Sequence, residues 1–380
     1  MLMVSGDRAL AEGKRGAFYN TLEEFHKYWD RVDIICPRVK SEKLRVKNLF
    51  GNVFIHPAPW PLLLQPFWIL REGLRILKTG NCKPETVNYH MTVHEYPPFY
   101  NGIGARLLWW KSCVPYVLEF HHISGYPKAA NLKEKIYANS ILWKLYWKIF
   151  GSRASAVRVV NQKQTPEFLK KAGIPEERMV YIPSMYIDLD VFKPMNFPKE
   201  YDLIFVGRLE TNKGINLLFE AVSKLKVKSE KLKVLIVGAG HLSASLKSKV
   251  KSLKLENNVI FHGFAKDFPE IAELMNKSKI LIMPSYNEGG PRVVLEAMAC
   301  GTPVLATNVG LMPDFADKNA IKIIDWNAED IASKAEELLE NEDERNRLIQ
   351  AGIEIARQFE KKEMIKNYAD KLKEFVKIRT

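Results

Sequence analysis

Residues 285–303 read SYNEGGPRVVLEAMACGTP and follow the apolar run Ile280 to Pro284. The sequence here passes from an apolar strand to a polar loop that contains Gly289 and Gly290, and then to a helical pattern from about Pro291. The free N–H groups and positive dipole end of a helix favour a phosphate, and glycines let a ligand approach the backbone. The stretch therefore predicts an anion-binding loop after a strand of an α/β sheet.

Two carboxylates flank this loop. Glu288 precedes the helix, and Glu296 lies roughly one and a half turns into it, with seven residues between them. A carboxylate accepts hydrogen bonds from paired sugar hydroxyls, so Glu296 is a candidate for contact with a ribose. A single helix glutamate is more often merely solvated. The glycine loop between the two favours the functional interpretation.

A second, basic loop follows the predicted strand Asp202 to Val206. Residues 205–214 read FVGRLETNKG. Arg208 and Lys213 are expected at the carboxyl edge of the sheet, where open α/β sheets bind ligands. Two cations there could hold a diphosphate, although a surface cation is more often only solvated.

Together these stretches resemble the retaining glycosyltransferases of family 4 (glycosyl transferases group 1). The resemblance lies in Gly207-Arg208-Leu209, Lys213-Gly214, the spacing of Glu288 and Glu296, and the following AMACGTPV, residues 297–304. It is strong over roughly residues 155–375; in the first half, PYVLEFHH at 115–122 resembles the family strand that ends in His. The resemblance implies the GT-B fold, in which two Rossmann-like, doubly wound parallel-sheet domains face a central cleft.

The resemblance also implies a function. We expect a retaining hexosyltransferase that moves a hexose from a nucleoside-diphosphate sugar to a hydroxyl of a glycan or lipid-linked acceptor, without a metal ion or other cofactor. The leaving diphosphate is expected to be stabilised by fixed positive charge. Its own oxygen can accept the acceptor's proton, so no protein nucleophile is assigned.

Each site residue then receives a predicted role. The catalytic candidates are Glu288, His121, Arg208 and Lys213. The donor-binding candidates are Gly207, Arg208, Lys213, Glu288, Gly289, Gly290, Arg292, Val293 and Glu296. The acceptor-side candidates are Gly16, His94 and His121, and no metal ligand is assigned.

The chain departs from the family pattern in two places. After Ile182-Pro183 it reads Ser184-Met185-Tyr186-Ile187-Asp188, with an apparent extra residue where Asn-Gly is common. In the charged N-terminal loop, Gly13 and Gly16 are separated rather than adjacent. Gly16 is the one we expect to approach the ligand.

Length and charge support two domains. The chain has 380 residues, and residues 1–195 carry 28 Lys and Arg against 17 Asp and Glu, whereas the remainder carries 29 against 27. Prolines 194 and 198 suggest a boundary between an acceptor domain, 1–195, and a donor domain, 196–364. A C-terminal helix, about 365–380, is expected to pack back on the first domain.

The basic first half suggests an anionic partner. Residues 133–158 alternate Lys and Arg with Ile, Leu, Trp and Tyr. This pattern fits a helix at an anionic membrane surface, with Trp and Tyr at headgroup level, as well as it fits an amphipathic helix buried on the sheet.

Four widely spaced cysteines, Cys36, Cys82, Cys113 and Cys300, indicate free thiols in a reducing compartment. No signal peptide or membrane-spanning run is visible. We therefore expect a cytoplasmic protein, peripheral at the inner face of a membrane if it binds one. His90 and His94 are only a weak metal candidate, because a strand pattern surrounds them.

Two other classes are open from sequence. VGAG at 237–240 could belong to an NAD-dependent Rossmann oxidoreductase, but the third glycine of that fingerprint is absent. A non-enzymatic basic module that binds nucleic acid or membrane would suit a pI near 9.3. No nucleic-acid motif appears, and nucleic acid is not expected as a partner.

Overall fold

The computed structural model describes residues 1–39, 48–79, 89–228 and 230–377. They form two β-sheets, and buried side chains cover both faces of each sheet. Strands buried on both faces read as continuous apolar runs, as residues 203–206 do. The predicted α/β class with two doubly wound parallel-sheet domains is confirmed.

The first sheet has the strand order β3-β4-β2-β1-β5-β6-β7-β8. Its strands are β1 (Leu2–Val4), β2 (Val32–Cys36), β3 (Asn48–Leu49), β4 (Val53–Pro57), β5 (Met91–His94), β6 (Tyr116–Phe120), β7 (Ala156–Val159) and β8 (Met179–Tyr181). The short edge strand β3 runs antiparallel to β4, and the other pairs are parallel.

The second sheet has the order β11-β10-β9-β12-β13-β14 and is parallel throughout. Its strands are β9 (Tyr201–Val206), β10 (Val234–Val237), β11 (Val259–Gly263), β12 (Ser278–Met283), β13 (Val304–Thr307) and β14 (Lys322–Ile324). The chain order reverses between β9 and β12. Open α/β sheets place their ligand crevice at the carboxyl ends of the strands at such a reversal.

Helices connect the strands. They are α1 (Ala17–Phe25), α2 (Gln65–Thr79), α3 (Tyr100–Ser112), α4 (Leu132–Tyr137), α5 (Ser140–Ile149), α6 (Gln164–Lys171), α7 (Ile215–Lys228), α8 (Ser243–Ser252), α9 (Phe268–Asn276), α10 (Arg292–Ala299), α11 (Met312–Ala316), α12 (Ala328–Glu340), α13 (Glu342–Arg357) and α14 (Lys361–Lys377). Short 3₁₀ turns cover His26–Tyr28, Leu62–Leu64, Gly151–Arg153, Glu176–Arg178 and Thr211–Lys213. Within the described ranges, no helix is both long and apolar enough to span a membrane.

The C-terminal helix α14 returns to the first sheet. Its residues Ile365, Tyr368 and Leu372 share a buried cluster with Phe25 of α1 and with strand residues of β2. The rings of Phe25 and Tyr368 stack with 5.0 Å between centroids. The helix begins at Lys361, four residues before the predicted start, and residues 378–380 of the prediction lie outside the described residues.

The strands predicted at Asp202 to Val206 and Ile280 to Pro284 fall within two residues of β9 and β12, whereas several other elements were not predicted. The sequence pattern from Phe50 to Gly80 is ambiguous; this stretch contains β4 and α2, and its last residue, Gly80, lies outside the described residues. The three-residue strands β1, β8 and β14 are too short to give a reliable period. Of the cysteines, Cys82 lies outside the described residues, and Cys36, Cys113 and Cys300 are free thiols.

For the aromatic side chains of the basic aromatic segment, the structure shows the buried one of the two alternatives left open by the sequence. Trp143, Tyr146 and Trp147 on α5 are buried in the core of the first domain, so they do not lie at a headgroup level. The exposed apolar side chains of α5 are instead aliphatic: Ile141, Leu145 and Ile149. The helix is therefore apolar on two faces, and only one of them packs on the sheet.

The packing of α14 predicts a specific loss of stability. Leu372 is 2% exposed. We expect Leu372→Ala to lower the free energy of unfolding of the first domain by about 2–5 kcal/mol, because it removes buried methyl groups and leaves a cavity. Tryptophan fluorescence during urea unfolding measures this, since seven of the eight tryptophans lie before residue 150.

The matched control is Lys366→Ala, on the exposed side of the same helix. It should change the free energy of unfolding by no more than about 0.5 kcal/mol. Equal small effects of both substitutions would mean that α14 does not contribute to the core of the first domain.

Candidate active site

The carboxyl ends of both sheets border a cleft between the domains, which contains a cavity of about 590 Å³. Residues of β5, β7, α1 and α14 line it, together with His121 just after β6 and with Gly290 and Arg292 from the second domain. Its wall is apolar where Met3, Phe18, Met185, Met364 and Ile365 meet it, and polar where His94, His121 and Arg158 do. An enclosed cleft with a few convergent polar groups is the usual form of a small-molecule site.

The two loops predicted to hold an anion interlock at the reversal point of the second sheet. The Lys213 ammonium pairs with the Glu288 carboxylate, and both side chains are mostly buried. The Tyr286 amide donates to the Asn212 carbonyl at 2.8 Å. The structure thus brings Lys213 to the loop before α10.

Gly214 makes this approach possible. Its φ is +67°, and a Cβ there would lie 1.9 Å from the Pro284 carbonyl oxygen. Only glycine combines that backbone conformation with that proximity. Lys213 and Gly214 therefore act together: the glycine lets its loop pack against Pro284, and the lysine then pairs with Glu288.

Arg208 is not brought to the same point. Its side chain is 67% exposed and donates to Glu210 at 2.9 Å. Gly207, just before it, packs against Gly238, where a Cβ would lie 1.9 Å from the Gly207 carbonyl oxygen. The backbone of this loop is fixed, whereas the arginine side chain is free to reorient.

Gly289 and Gly290 lie where the two domains touch. A Cβ on Gly289 would lie 1.8 Å from the His121 carbonyl oxygen, and a Cβ on Gly290 would lie 2.5 Å from the Met185 sulfur. Both glycines thus pack against the first domain, and Gly290 also lines the cavity. Their small size lets the second domain touch the first.

Helix α10 carries the remaining predicted residues of this loop. It begins at Arg292, with Pro291 as its N-cap and not in its first turn. Arg292 lies 4.7 Å from the centre of the Tyr186 ring, and Val293 packs against the core of the second domain.

The Glu296 carboxylate is unusually placed. Burial raises its pKa to about 7, against the opposing charge of Arg292. Within the described residues, no hydrogen bond is made to the Glu296 carboxylate. The Glu296 side chain is only partly buried, so its carboxylate oxygens are available to accept hydrogen bonds from a ligand.

On the first-domain side, His94 and His121 both line the cavity and their rings lie 4.8 Å apart. Burial lowers the pKa of His94 to about 4, so this imidazole is neutral. His121 lies next to Gly289 through its backbone, which brings it to the donor loop predicted from sequence.

Gly16 does not reach the cavity. It is the N-cap of α1 with φ −139°, and nothing lies within 4 Å of a Cβ built on it. On the first-domain side Gly6, which contacts Tyr96, lines the cavity. Sequence reasoning did not single out Gly6, because it follows β1, a strand too short to be recognised; the acceptor-side role of Gly16 stays a prediction.

Sequence reasoning missed Glu119 and Arg158. They are neighbours in register on β6 and β7, and both are buried. Arg158 donates to a Glu119 oxygen at 2.7 Å, and His121 and Tyr368 also contact this carboxylate. A signal was present: each is a lone charged residue in an otherwise apolar strand, and such residues are rarely buried unless paired.

Metal binding finds little support in this cluster. The ligand atoms of His94, Glu119 and His121 lie within 4.8 Å of one another. However, the Glu119 oxygen nearest the histidines already accepts from the Arg158 guanidinium, whose charge would oppose a cation. His90 is not part of this group and packs against the Trp29 ring at 5.0 Å.

Further contacts join the domains beside the site. Asn287, which is buried, donates to the Lys128 carbonyl at 3.1 Å and to Glu134 of α4 at 2.9 Å. His122 lies 3.3 Å from the Asn287 side-chain oxygen. His122 thus takes part in the domain contact, and both His121 and His122 line the cavity.

Two family models match the chain, one on each domain. Residues 18–186 match "Glycosyltransferase Family 4", and residues 188–355 match "Glycosyl transferases group 1". The chain belongs to the group 1 glycosyltransferases. The resemblance inferred from Gly207 to Val304 is confirmed, and so is the prediction of a transferase enzyme.

Individual relatives agree with the assignment of the chain as a glycosyltransferase. An uncharacterised glycosyltransferase of Methanocaldococcus jannaschii is 26% identical over 320 residues, 82% of each chain. An N,N'-diacetylbacillosaminyl-diphospho-undecaprenol alpha-1,3-N-acetylgalactosaminyltransferase of Campylobacter jejuni is 27% identical over 245 residues, covering 60% of this chain and 61% of that protein.

Solved structures share the GT-B fold of this glycosyltransferase. HepE of Anabaena in complex with UDP and glucose has a TM-score of 0.72 and 18% identity over 98% of both chains. Sucrose-phosphate synthase of Thermosynechococcus elongatus has a TM-score of 0.78 and 17% identity over 99% of both chains.

Because Gly289 packs against His121, we expect the observed closure of the cleft to require glycine at position 289. We expect Gly289→Ala to push the domains apart, because the added Cβ would overlap the His121 carbonyl oxygen. Small-angle X-ray scattering should show a larger radius of gyration for this variant. The transferase activity should fall with it.

Gly16→Ala is the matched control, since its Cβ meets nothing within 4 Å and its backbone is extended. It should leave the radius of gyration unchanged. If the Gly289→Ala protein scatters like the unmodified chain, the domain contact does not limit the closure of the cleft.

Proposed function

We propose that this glycosyltransferase transfers a hexose from a nucleoside-diphosphate sugar to a hydroxyl acceptor, with retention of the anomeric configuration. The observation that carries the proposal is the arrangement at the reversal point of the second sheet. There Lys213 meets Glu288, and the carboxylate of Glu296 lies on α10 without a hydrogen-bond partner among the described residues. Cation, carboxylates and helix start together suit a ligand with phosphate and sugar hydroxyls.

The donor diphosphate would lie against Lys213 and Arg208. Lys213 is held in place by its loop, and the exposed Arg208 would exchange Glu210 for phosphate oxygens. Fixed cations stabilise the negative charge that develops as the diphosphate leaves. Because these groups supply the positive charge, the proposal needs no divalent ion.

The two carboxylates would accept hydrogen bonds from different hydroxyls of the donor. Glu296, on α10, would accept from the ribose hydroxyls, and Glu288, beside Lys213, from those of the transferred sugar. Burial has raised the pKa of Glu296 to about 7, and hydrogen bonds to its charged form would lower it again.

Retention follows from what these groups can do. Glu288 is paired with Lys213, which makes it a poor covalent nucleophile. In the proposed step the acceptor oxygen attacks from the side on which the diphosphate departs, and its proton passes to a leaving phosphate oxygen. His121 lies beside this place and would orient a hydroxyl.

The cavity in front of His121 favours an acceptor with an apolar part. Its wall includes Met3, Phe18, Met185 and Ile365, and its polar end holds the two histidines. Such a mixture suits a lipid-linked sugar or phosphate better than a fully hydroxylated glycan. The name of the Campylobacter jejuni relative includes a diphospho-undecaprenol group.

The surface of α4 and α5 supports peripheral membrane binding. Leu132 and Ile136 on α4, and Ile141, Leu145 and Ile149 on α5, are exposed aliphatic side chains. Lysines 133, 135, 144 and 148 lie among them. Apolar side chains interleaved with cations match an anionic lipid surface, where a lipid-linked acceptor would be found.

Donor binding gives the first test. A thermal-shift panel of UDP-, GDP-, ADP- and TDP-linked hexoses identifies the donor by the stabilisation it produces. Titration calorimetry then measures its affinity. Arg208→Ala, Lys213→Ala and Glu296→Ala should each weaken binding by ~1–3 kcal/mol, which is about 5- to 150-fold, because each removes a charge-assisted contact.

Lys251→Ala, an exposed lysine on α8, is the control and should bind normally. The affinity of the unmodified chain should also fall as the pH drops from 8 to 6, since protonation of Glu296 removes an acceptor; in Glu296→Gln this dependence should vanish. Normal affinity in all three site variants would contradict the proposed donor site.

Membrane binding has its own test. The unmodified chain should sediment with vesicles containing phosphatidylglycerol, less so at high salt, and not with pure phosphatidylcholine. The double variant Ile141→Glu, Leu145→Glu should lose this binding, because both added carboxylates oppose burial and the anionic surface.

Phe264→Glu is the control, because Phe264 is an exposed apolar side chain on the second domain. It should bind vesicles like the unmodified chain. Failure of the unmodified chain to bind anionic vesicles would end the membrane proposal and leave the donor site untouched.

A further inference from the structure

Glu119 is a buried carboxylate on β6 of the first domain, and both of its oxygens are engaged. Its Oε1 accepts from the Tyr368 hydroxyl at 2.6 Å. Its Oε2 accepts from Arg158 at 2.7 Å and lies 3.1 Å from Nε2 of His121. His94 faces the same oxygen at 3.6 Å. Three strands and the C-terminal helix thus meet at one carboxylate.

This carboxylate is ionised. Burial alone would raise its pKa, but the Arg158 charge and the hydrogen bond from His121 hold the pKa well below its usual range. An ionised carboxylate can only accept hydrogen bonds. The Nε2 atom of His121 must therefore carry a proton and donate it to Glu119.

Arg158 cannot release the carboxylate. Its Nε donates to the Ile182 carbonyl at 3.0 Å and one terminal nitrogen donates to the Pro183 carbonyl at 2.9 Å. The Tyr368 ring lies 3.9 Å from the guanidinium carbon. With these contacts the guanidinium is fixed in its plane, and Glu119 is fixed against it.

The hydrogen-bonding role of Nδ1, the other ring nitrogen of His121, follows from this assignment. Nδ1 has no hydrogen-bond partner among the described residues, and the side chain lines the cavity and is 40% exposed. In the neutral imidazole, a proton on Nε2 leaves Nδ1 as an acceptor. The Gly289 contact holds the His121 backbone beside the loop of Glu288.

We propose that Glu119 is a positioning residue that fixes His121 with its Nε2 protonated, so that Nδ1 accepts a hydrogen bond from a substrate hydroxyl in the cavity and orients it. The substrate role rests on the proposed transfer function; the fixed tautomer does not. Tyr368 on α14 contributes to the same arrangement through its hydrogen bond to Glu119. A residue of the C-terminal helix thereby completes a group whose other members, such as His94, lie in the first half of the sequence.

The tautomer is tested directly, without activity. Long-range ¹H–¹⁵N spectra of the full chain with labelled histidine show which ring nitrogen carries the proton, and His121→Asn assigns the signal. We expect His121 in the unmodified chain to be protonated at Nε2 and unprotonated at Nδ1 at pH 8. In Glu119→Gln, which replaces the anion by a neutral amide, a mixture of the two tautomers is expected. Protonation at Nδ1 in the unmodified chain would overturn the proposal.

Kinetics then tests the use of this tautomer. Glu119→Gln should lower kcat for transfer at least ~10-fold, as other losses of an orienting carboxylate do. The affinity for the nucleotide sugar should change by less than about 2-fold. Unchanged kcat in a folded Glu119→Gln protein would contradict the positioning role, whereas loss of donor binding in the unmodified chain would contradict the proposed function instead.

A milder pair of variants covers the case in which Glu119→Gln does not fold, since it leaves Arg158 without a counter-charge. Tyr368→Phe removes one hydrogen bond from Glu119. Tyr116→Phe removes a buried tyrosine hydrogen bond on the same strand, to the Phe150 carbonyl, away from this group. Tyr368→Phe should lower kcat and broaden the tautomer distribution of His121, whereas Tyr116→Phe should do neither. Equal behaviour of the pair would assign Tyr368 a structural role only and overturn the proposal for α14.

Discussion

The close approach of the Gly289 backbone to the His121 carbonyl is the constraint on which the cleft depends. No side chain fits between these two segments, because even a Cβ would lie 1.8 Å from the oxygen. Gly310, with φ +57°, packs equally tightly on the other side of the same loop, 2.2 Å from the Gly289 carbonyl oxygen at its Cβ position. Through this contact the loop between β12 and α10 and the histidines after β6 share one cavity.

Two ion pairs lie near that contact, one in each domain. In the second domain, Lys213 and Glu288 join the two loops at the reversal point of the sheet. In the first domain, Arg158 and Glu119 join adjacent strands beneath His121. Each buried charge has an opposite partner within its own domain, which is what makes its burial tolerable. Glu296 is different, since its carboxylate has no such hydrogen-bond partner among the described residues. It is the group from which a ligand would gain most.

Much of the fold could be predicted because its strands are buried on both faces and read as apolar runs, and because the loops after β9 and β12 contain glycine and charge in recognisable order. Gly214 and Lys213 illustrate this: both are visible in the sequence, and both act as their types suggest. The same approach failed for the short strands, whose runs are too short to recognise. Without β1, nothing in the sequence indicated that Gly6 and not Gly16 would border the cavity. Glu119 and Arg158 were legible as lone charges in apolar strands, but only pairing in register explains them.

The sequence by itself determined the class of fold, the family and the two loops of the second domain, because those depend on local patterns: the apolar runs of buried strands, glycine in the loops, and the spacing of Glu288, before α10, from Glu296 on it. Tertiary structure alone decided which groups meet across distance. It placed Tyr368 on Glu119, His121 against Gly289 and the aromatic side of α5 in the core with its aliphatic side exposed. Such contacts join residues up to 249 positions apart. They depend on how helices and sheets pack against one another, which no local pattern records.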